Sequence, residues 1–248
     1  MLRRLSDLIT GQKDPLAGDA PSGETAEELR ARRDAARLSR GMADRDARDA
    51  DAALRALAGT PATGPAGALD AYRPLCWTRA TLPAAHVGPE TGTEVSPDLT
   101  LFHDCPLAEI TLRQTLAPVA APARFALSLD TLRFQGSFLS LVLTLPEAQT
   151  SAIGLRDVLR LTLAVEMSAQ TRLYGRLNLQ QGPNTAQMLA EVPPGEDGAT
   201  EIAFDLAYGD LRDLPVERVW IDLMVEDPAM RRVTLHDLIL SRHPRAEL

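Results

Sequence analysis

Apolar and polar residues alternate through most of the second half of this chain, and the alternation is densest over 125–146. Phe125, Leu127 and Leu129 are separated by Ala126, Ser128 and Asp130, and Leu139, Leu141, Leu143 and Leu145 repeat the pattern until Pro146. A period of two sets one row of side chains on one face of a pleated strand. Between the two runs lie a phase slip near Thr131 and a break at Gln135-Gly136. That layout predicts a hairpin, or one long bulged strand, at the centre of an antiparallel sheet. The same period recurs over 99–105, 109–116, 158–167, 172–180, 201–208, 218–226 and 232–241, the last changing phase near His236-Asp237. Residues 185–191, after Gly182-Pro183-Asn184, read as a turn of helix. About nine short strands with turn residues between them predict an all-β antiparallel β-sandwich, jelly-roll-like, over 98–248.

The first part of the chain follows other rules. Residues 24–58 read as a charged helix, with eight acidic and eight Arg side chains and with Glu24, Glu27 and Glu28 at its positive end. Asp44 with Arg48 and Asp51 with Arg55 form i,i+4 pairs. The heptad seam Leu29, Ala36, Ala43, Ala50 and Leu57 is too thin for a strong coiled coil. It leaves a solvated helix or a partner-binding arm as the two readings. Residues 1–23 form an N-terminal segment and linker. Within them Leu2, Leu5, Leu8 and Ile9 fall at helical spacing beside Arg3 and Arg4. Peripheral membrane contact through 1–12 is the less favoured reading there, because anchoring generally takes a second signal. Pro and Gly punctuate 59–97, which reads as a connector pinned by Tyr72, Leu75 and Trp77.

Composition narrows the partners. The formal charge of -8 speaks against nucleic-acid binding, which needs clustered positive charge. No window approaches the ~18 apolar residues of a membrane span. Asp7 interrupts any apolar core of a secretory signal, so the expectation is a cytoplasmic protein whose two cysteines, Cys76 and Cys105, are free thiols.

Six stretches together carry a resemblance: LTLFHDC (99–105), ITLRQ (110–114), FQGSFLSLVLTLP (134–146), GRLNLQQGPNTAQ (175–187), FDLAY (204–208) and SRHPRAEL (241–248). They resemble an uncharacterised alphaproteobacterial family, the domain-of-unknown-function family numbered 6478, over most of 72–248. Gln135 stands where that family would place Asp. The resemblance implies kinship and no activity.

Candidate chemistry is sparse. His103-Asp104-Cys105 mixes three reactive types, but neighbours on a strand face opposite ways, and a buried structural cluster is the simpler reading. No metal or other cofactor is implied by any motif. Arg176, Asn178 and Gln180 share one strand face leading into Gly182-Pro183-Asn184, and such a row of guanidinium and amide groups suits a polar ligand. Trp220 lies off the apolar row of its strand and could stack on a sugar. The candidate ligand-binding residues are therefore Arg176, Asn178, Gln180, Asn184 and Trp220. Asp205, Asp222, Glu226, Asp227 and Asp237 would have to approach in pairs to hydrolyse a glycoside. The expected function is a non-catalytic binding or interaction module for a glycan, another polar ligand or a protein partner. A hydrolase of a glycan or ester, and a structural protein assembling through its N-terminal helix, are the alternatives.

Overall fold

The structure, a computed structural model, describes residues 24–57, 64–117, 121–195, 199–212 and 214–245. The segment 1–12 lies outside them. Helix α1 (Ala26–Leu57) opens on a reciprocal cap. Thr25 Oγ1 accepts from the Glu28 N–H, and Glu28 Oε2 accepts from the Thr25 N–H at 2.7 Å, so two donors of the first turn are satisfied. Arg32 pairs with Glu24 and Arg33 with Asp34, both in solvent, where such pairs contribute little. The side chains of Asp44, Arg48, Asp51 and Arg55 are outside the described ones. The chain divides into two compact units, 1–47 and 48–248.

The second unit is an antiparallel β-sandwich. Its strands are β1 (Asp70–Tyr72), β2 (Ala85–Val87), β3 (Thr93–Ser96), β4 (Leu99–His103), β5 (Ile110–Leu116), β6 (Phe125–Thr131) and β7 (Leu139–Thr144). They continue through β8 (Asp157–Met167), β9 (Arg172–Gln181), β10 (Asn184–Val192), β11 (Ala199–Asp205), β12 (Arg218–Glu226) and β13 (Arg232–Pro244). One sheet runs β11-β8-β13-β6-β5-β2, with β1 also on β13; the other runs β10-β9-β12-β7-β4-β3. Between them lie the inward rows that the alternation predicts, among them Leu159, Leu161 and Leu163 of β8 facing a layer that holds Leu177, Leu179, Val219, Ile221 and Leu223.

Three elements differ from the sequence reading. First, β6 and β7 are not partners: β6 pairs with β5 and β13, whereas β7 pairs with β4 and β12 in the other sheet. Alternation reveals a strand's buried face but not its neighbour, and the link 132–138 is long enough to cross between layers about 10 Å apart. Second, 184–192 is a strand, not a helical turn. Gly182, at φ +57, and Pro183 form a two-residue hairpin loop between Gln181 and Asn184, as a type II′ turn requires. Its inward residues include the small Ala186, so little apolar alternation showed. Third, 206–208 leaves the strand as a 3₁₀ turn capped by the Asp205 side chain on the Ala207 N–H.

The stretch 59–97 contributes β1, β2, β3 and the short helix α2 (Leu75–Thr78). Polar contacts to buried groups tie it down. The Trp77 indole N–H donates to the Leu235 carbonyl at 3.1 Å, and Arg73 grips Asp237 through two bonds of 2.8 and 3.0 Å. Both meet β13 at its bulge between Leu235 and Asp237, the phase change visible in the sequence. The Gln114 amide donates to the carbonyls of Cys76 and Arg79 and accepts from the Thr81 N–H.

Trp77 is fully buried. Replacing it by Phe removes the bond to the Leu235 carbonyl from the interior, and the expected loss is about 1–3 kcal/mol. Guanidinium denaturation with an unchanged m-value is the check; a midpoint equal to that of the parent would refute the bond's contribution.

Candidate functional site

The inward row of each strand forces its other row outward, and on the six-stranded sheet that outer row is chemically mixed. On β9 it comprises Arg172, Tyr174, Arg176, Asn178 and Gln180; on β12, Arg218, Trp220, Asp222, Met224 and Glu226. The antiparallel register sets Arg218 opposite Gln180, Trp220 opposite Asn178, and Asp222 opposite Arg176. On the far side of β12, Trp220 meets Thr144, Asp222 meets Val142, and Met224 meets Ser140 of β7. Phe102 of β4 follows, opposite Ser140.

These residues surround a groove of about 610 Å³ lined by Phe102, Phe138, Ser140, Val142 and Met224 with Arg176, Arg218, Trp220 and Asp222. It is larger than the hollows of about 400 Å³ beside α2 and about 410 Å³ beside the β12–β13 turn. Phe102 and Phe138 remain 38% and 46% exposed. The Arg218 guanidinium lies over the Trp220 ring, 5.2 Å from its centroid.

A hydrogen-bonded chain braces one wall. Arg176 Nε donates to Asp222 Oδ2 at 2.7 Å, and Asn178 Nδ2 donates to the same oxygen at 3.0 Å. A carboxylate only accepts, so the nitrogen of the Asn178 amide must face it, and the amide oxygen accepts from Gln187 Nε2 at 2.9 Å. Asn178 is 1% exposed. It therefore acts from below as a brace for Asp222 and Arg176. Gln180 donates to the Gly182 carbonyl at the hairpin, and Asn184 is exposed there. The structure thus brings Arg176 and Trp220 to the groove, sets Asn178 beneath it, and leaves Gln180 and Asn184 towards the hairpin end. Arg218, Phe102 and Phe138 escaped the sequence reading. Their meeting depends on the strand order β9-β12-β7-β4, for which alternation gives no signal.

Phe138 is delivered by the link 132–138, and Asp104 holds that link. Its carboxylate accepts from Ser137 Oγ at 2.7 Å, from the Phe138 N–H at 3.0 Å and from the Ser137 N–H. These bonds hold the Asp104 pKa down at about 2. A Cβ on Gly136 would meet Asp104 Oδ1 and lie 2.8 Å from the Cys105 backbone nitrogen, so only glycine allows the approach. Beside it, His103 Nδ1 accepts from the Cys105 N–H at 3.2 Å, which leaves the Nε2 proton for the Pro89 carbonyl at 2.9 Å. Desolvation acts to raise the Cys105 pKa, but the surrounding N–H groups of Gln135, Ala108, Leu107 and Glu109 outweigh it and lower the thiol. Both cysteines are free and buried.

Of the other carboxylates proposed from sequence, Asp205, Glu226 and Asp237 are dispersed into separate ion pairs, and Asp227 lies in the β12–β13 turn. Asp205 meets Arg245, Glu226 meets Arg172, and Asp237 meets Arg73. Among the described residues no group of three His, Cys, Asp or Glu side chains is placed to hold a metal, and no helix is long and apolar enough to cross a membrane.

A model of a family of unknown function, DUF6478, matches residues 11–248. The chain belongs to that family. No curated protein matches this DUF6478 member in sequence. Among solved structures it is similar to the enzymatically active domain of tailspike protein 4 from bacteriophage CBA120. The two share 12% identity and a TM-score of 0.41 over 60% of this chain, which spans only 19% of the phage chain. The CBM22-1 xylan-binding domain from Paenibacillus barcinonensis is 13% identical over 66% of this chain and 94% of its own, with a TM-score of 0.35. A family 11 carbohydrate-binding module from Clostridium thermocellum, solved with a β-1,3-1,4-mixed-linked tetrasaccharide, is 8% identical over 63% and 95%, with a TM-score of 0.39.

Asp104 yields a pH dependence of definite sign. Its folded pKa lies below the ordinary 3.8, so its hold on the link is complete above that value and is lost as pH falls towards about 2. The amide resonances of Ser137 and Phe138 are expected to titrate with a midpoint near the lower value. In Asp104→Asn that titration disappears and both amides exchange faster at neutral pH; unchanged exchange would remove Asp104 as the anchor.

Proposed function

We propose that this sandwich is a non-catalytic glycan-binding module and that the groove on its six-stranded sheet is the site. The observation that carries the reading is Trp220, set by β12 on the outer face of the sheet between two guanidinium groups and across from exposed phenylalanines. An aromatic ring offers the apolar face of a pyranose a stacking surface, and nearby charged groups bond its hydroxyls. The groove's volume falls in the range of small-ligand sites, roughly 300–1,000 Å³. Of its lining residues Asp222 is the one carboxylate, and that group is already bonded to Arg176 and Asn178. Glycoside hydrolysis requires two carboxyl groups flanking the scissile bond. This favours binding over catalysis at this face.

Affinity electrophoresis through gels containing soluble xylan, mixed-linkage glucan or polygalacturonate tests the proposal. The full chain is expected to be retarded by at least one of them. Trp220→Ala should weaken that retention by about tenfold, the loss of one stacking surface. Retention unaltered by Trp220→Ala, or none on any gel, would overturn it.

A further inference from the structure

The groove's charge points to one class of glycan. Its lining holds two guanidiniums and one carboxylate, leaving a positive patch on a chain whose formal charge is -8. The balance at the surface is more one-sided than the count. The Asp222 side chain is 6% exposed, whereas that of Arg176 is 40% exposed, so the cation covers the anion and faces outward. Both nitrogens that Arg176 uses, Nε and Nη2, go to a single oxygen of Asp222. Nη1 is left for a further acceptor.

Arg218 differs from its counterpart at the other end of the same face. There Arg172 is gripped by Glu191 through two bonds, of 2.9 and 3.0 Å, and by Glu226 at 2.9 Å, so two carboxylates outweigh the one cation at that end. Arg218 is exposed and touches the Trp220 ring, and it has no carboxylate partner among the described residues. An exposed guanidinium without an anion is a ready fork for a carboxylate. A second, independent sign lies in the floor. Ser140 Oγ is buried and has no hydrogen-bond partner among the described residues, an unusual state for an interior hydroxyl and one that a hydroxyl or water brought in with a ligand would relieve.

Resting on the glycan-binding reading, we infer that the groove takes carboxylated sugars, oligosaccharides of hexuronic acids, with the pyranose on Trp220 and the carboxylate on Arg218 or Arg176. Both arginines neighbour Trp220. Arg218 is two residues away along β12, and Arg176, opposite Asp222, is the diagonal neighbour across to β9, a separation of about 7–8 Å. Arg218 lies over the indole, so a sugar that takes the ring face displaces that guanidinium onto its carboxylate and has Arg176 at its other side. Neutral pyranoses would use the stacking surface and leave both guanidiniums unmatched.

The test is titration calorimetry of the full chain with hexamers of galacturonate and of mannuronate, each as the free acid and as the methyl ester, with xylohexaose as the neutral reference. One free acid is expected to bind about tenfold tighter than its ester, the gain of a charge-assisted bond. That advantage should shrink as salt rises from about 50 mM to about 500 mM, and Arg218→Gln should bring the acid down to its ester. An ester as tight as its acid, or a preference that survives both Arg218→Gln and Arg176→Gln, would overturn the inference while leaving the groove a glycan site. Binding of neither free acid would overturn this inference, and the glycan reading falls with it only if no gel retards the chain.

Discussion

The dry seam between the two sheets is the constraint from which the other features follow. Leu173, Leu177 and Leu179 of β9 and Val219, Ile221, Leu223 and Val225 of β12 are all buried there. Because side chains alternate strictly, a slip of one residue would expose this whole row and bury its charged neighbours. Each buried leucine is worth about 2–5 kcal/mol against truncation, so several together fix the register far more firmly than any surface contact could. Arg176, Trp220, Asp222 and Arg218 face outward because the residues between them must face inward. Gly175 lies close beneath the opposite sheet, where a Cβ would meet Ile202 Cδ1.

On that fixed lattice, two carboxylates do the local aiming by different means. Asp222 is buried and works by collecting donors, Arg176 and Asn178, onto one oxygen. Asp104 is exposed and works by capturing the backbone of a loop that has no strand partner of its own there. One wall of the groove is thus set by side chains in register, the other by a chain segment held at its groove end by Asp104 and further back by Glu109 and Cys105.

The architecture was legible in the sequence where strands bury full aliphatic rows, as β8, β9 and β12 do, and even the bulge of β13 showed as a change of phase. Partnership was not legible. The runs at β6 and β7 are neighbours in sequence and lie in separate sheets, because period two is the same whichever strand lies alongside. At β10 the period itself was hidden by Ala186, Met188 and Ala190, residues small or flexible enough to sit inward without an aliphatic signature. For the site, alternation alone sets Arg176, Asn178, Gln180 and Trp220 outside the core rows. It could not say that Asn178 lies at 1% exposure beneath its neighbours, nor that Phe102 shares a face with Trp220 across an intervening strand.

The chain holds two tryptophans, and the fold sets them in different environments. Trp77 is sealed with its indole proton on a main-chain oxygen, whereas Trp220 is partly open beneath the Arg218 guanidinium. Their emission should accordingly separate into a blue component, indifferent to quenchers until the interior opens, and a red one sensitive to whatever occupies the outer face. The molecule thus contains two optical probes, one for its integrity and one for its occupancy, that need no label.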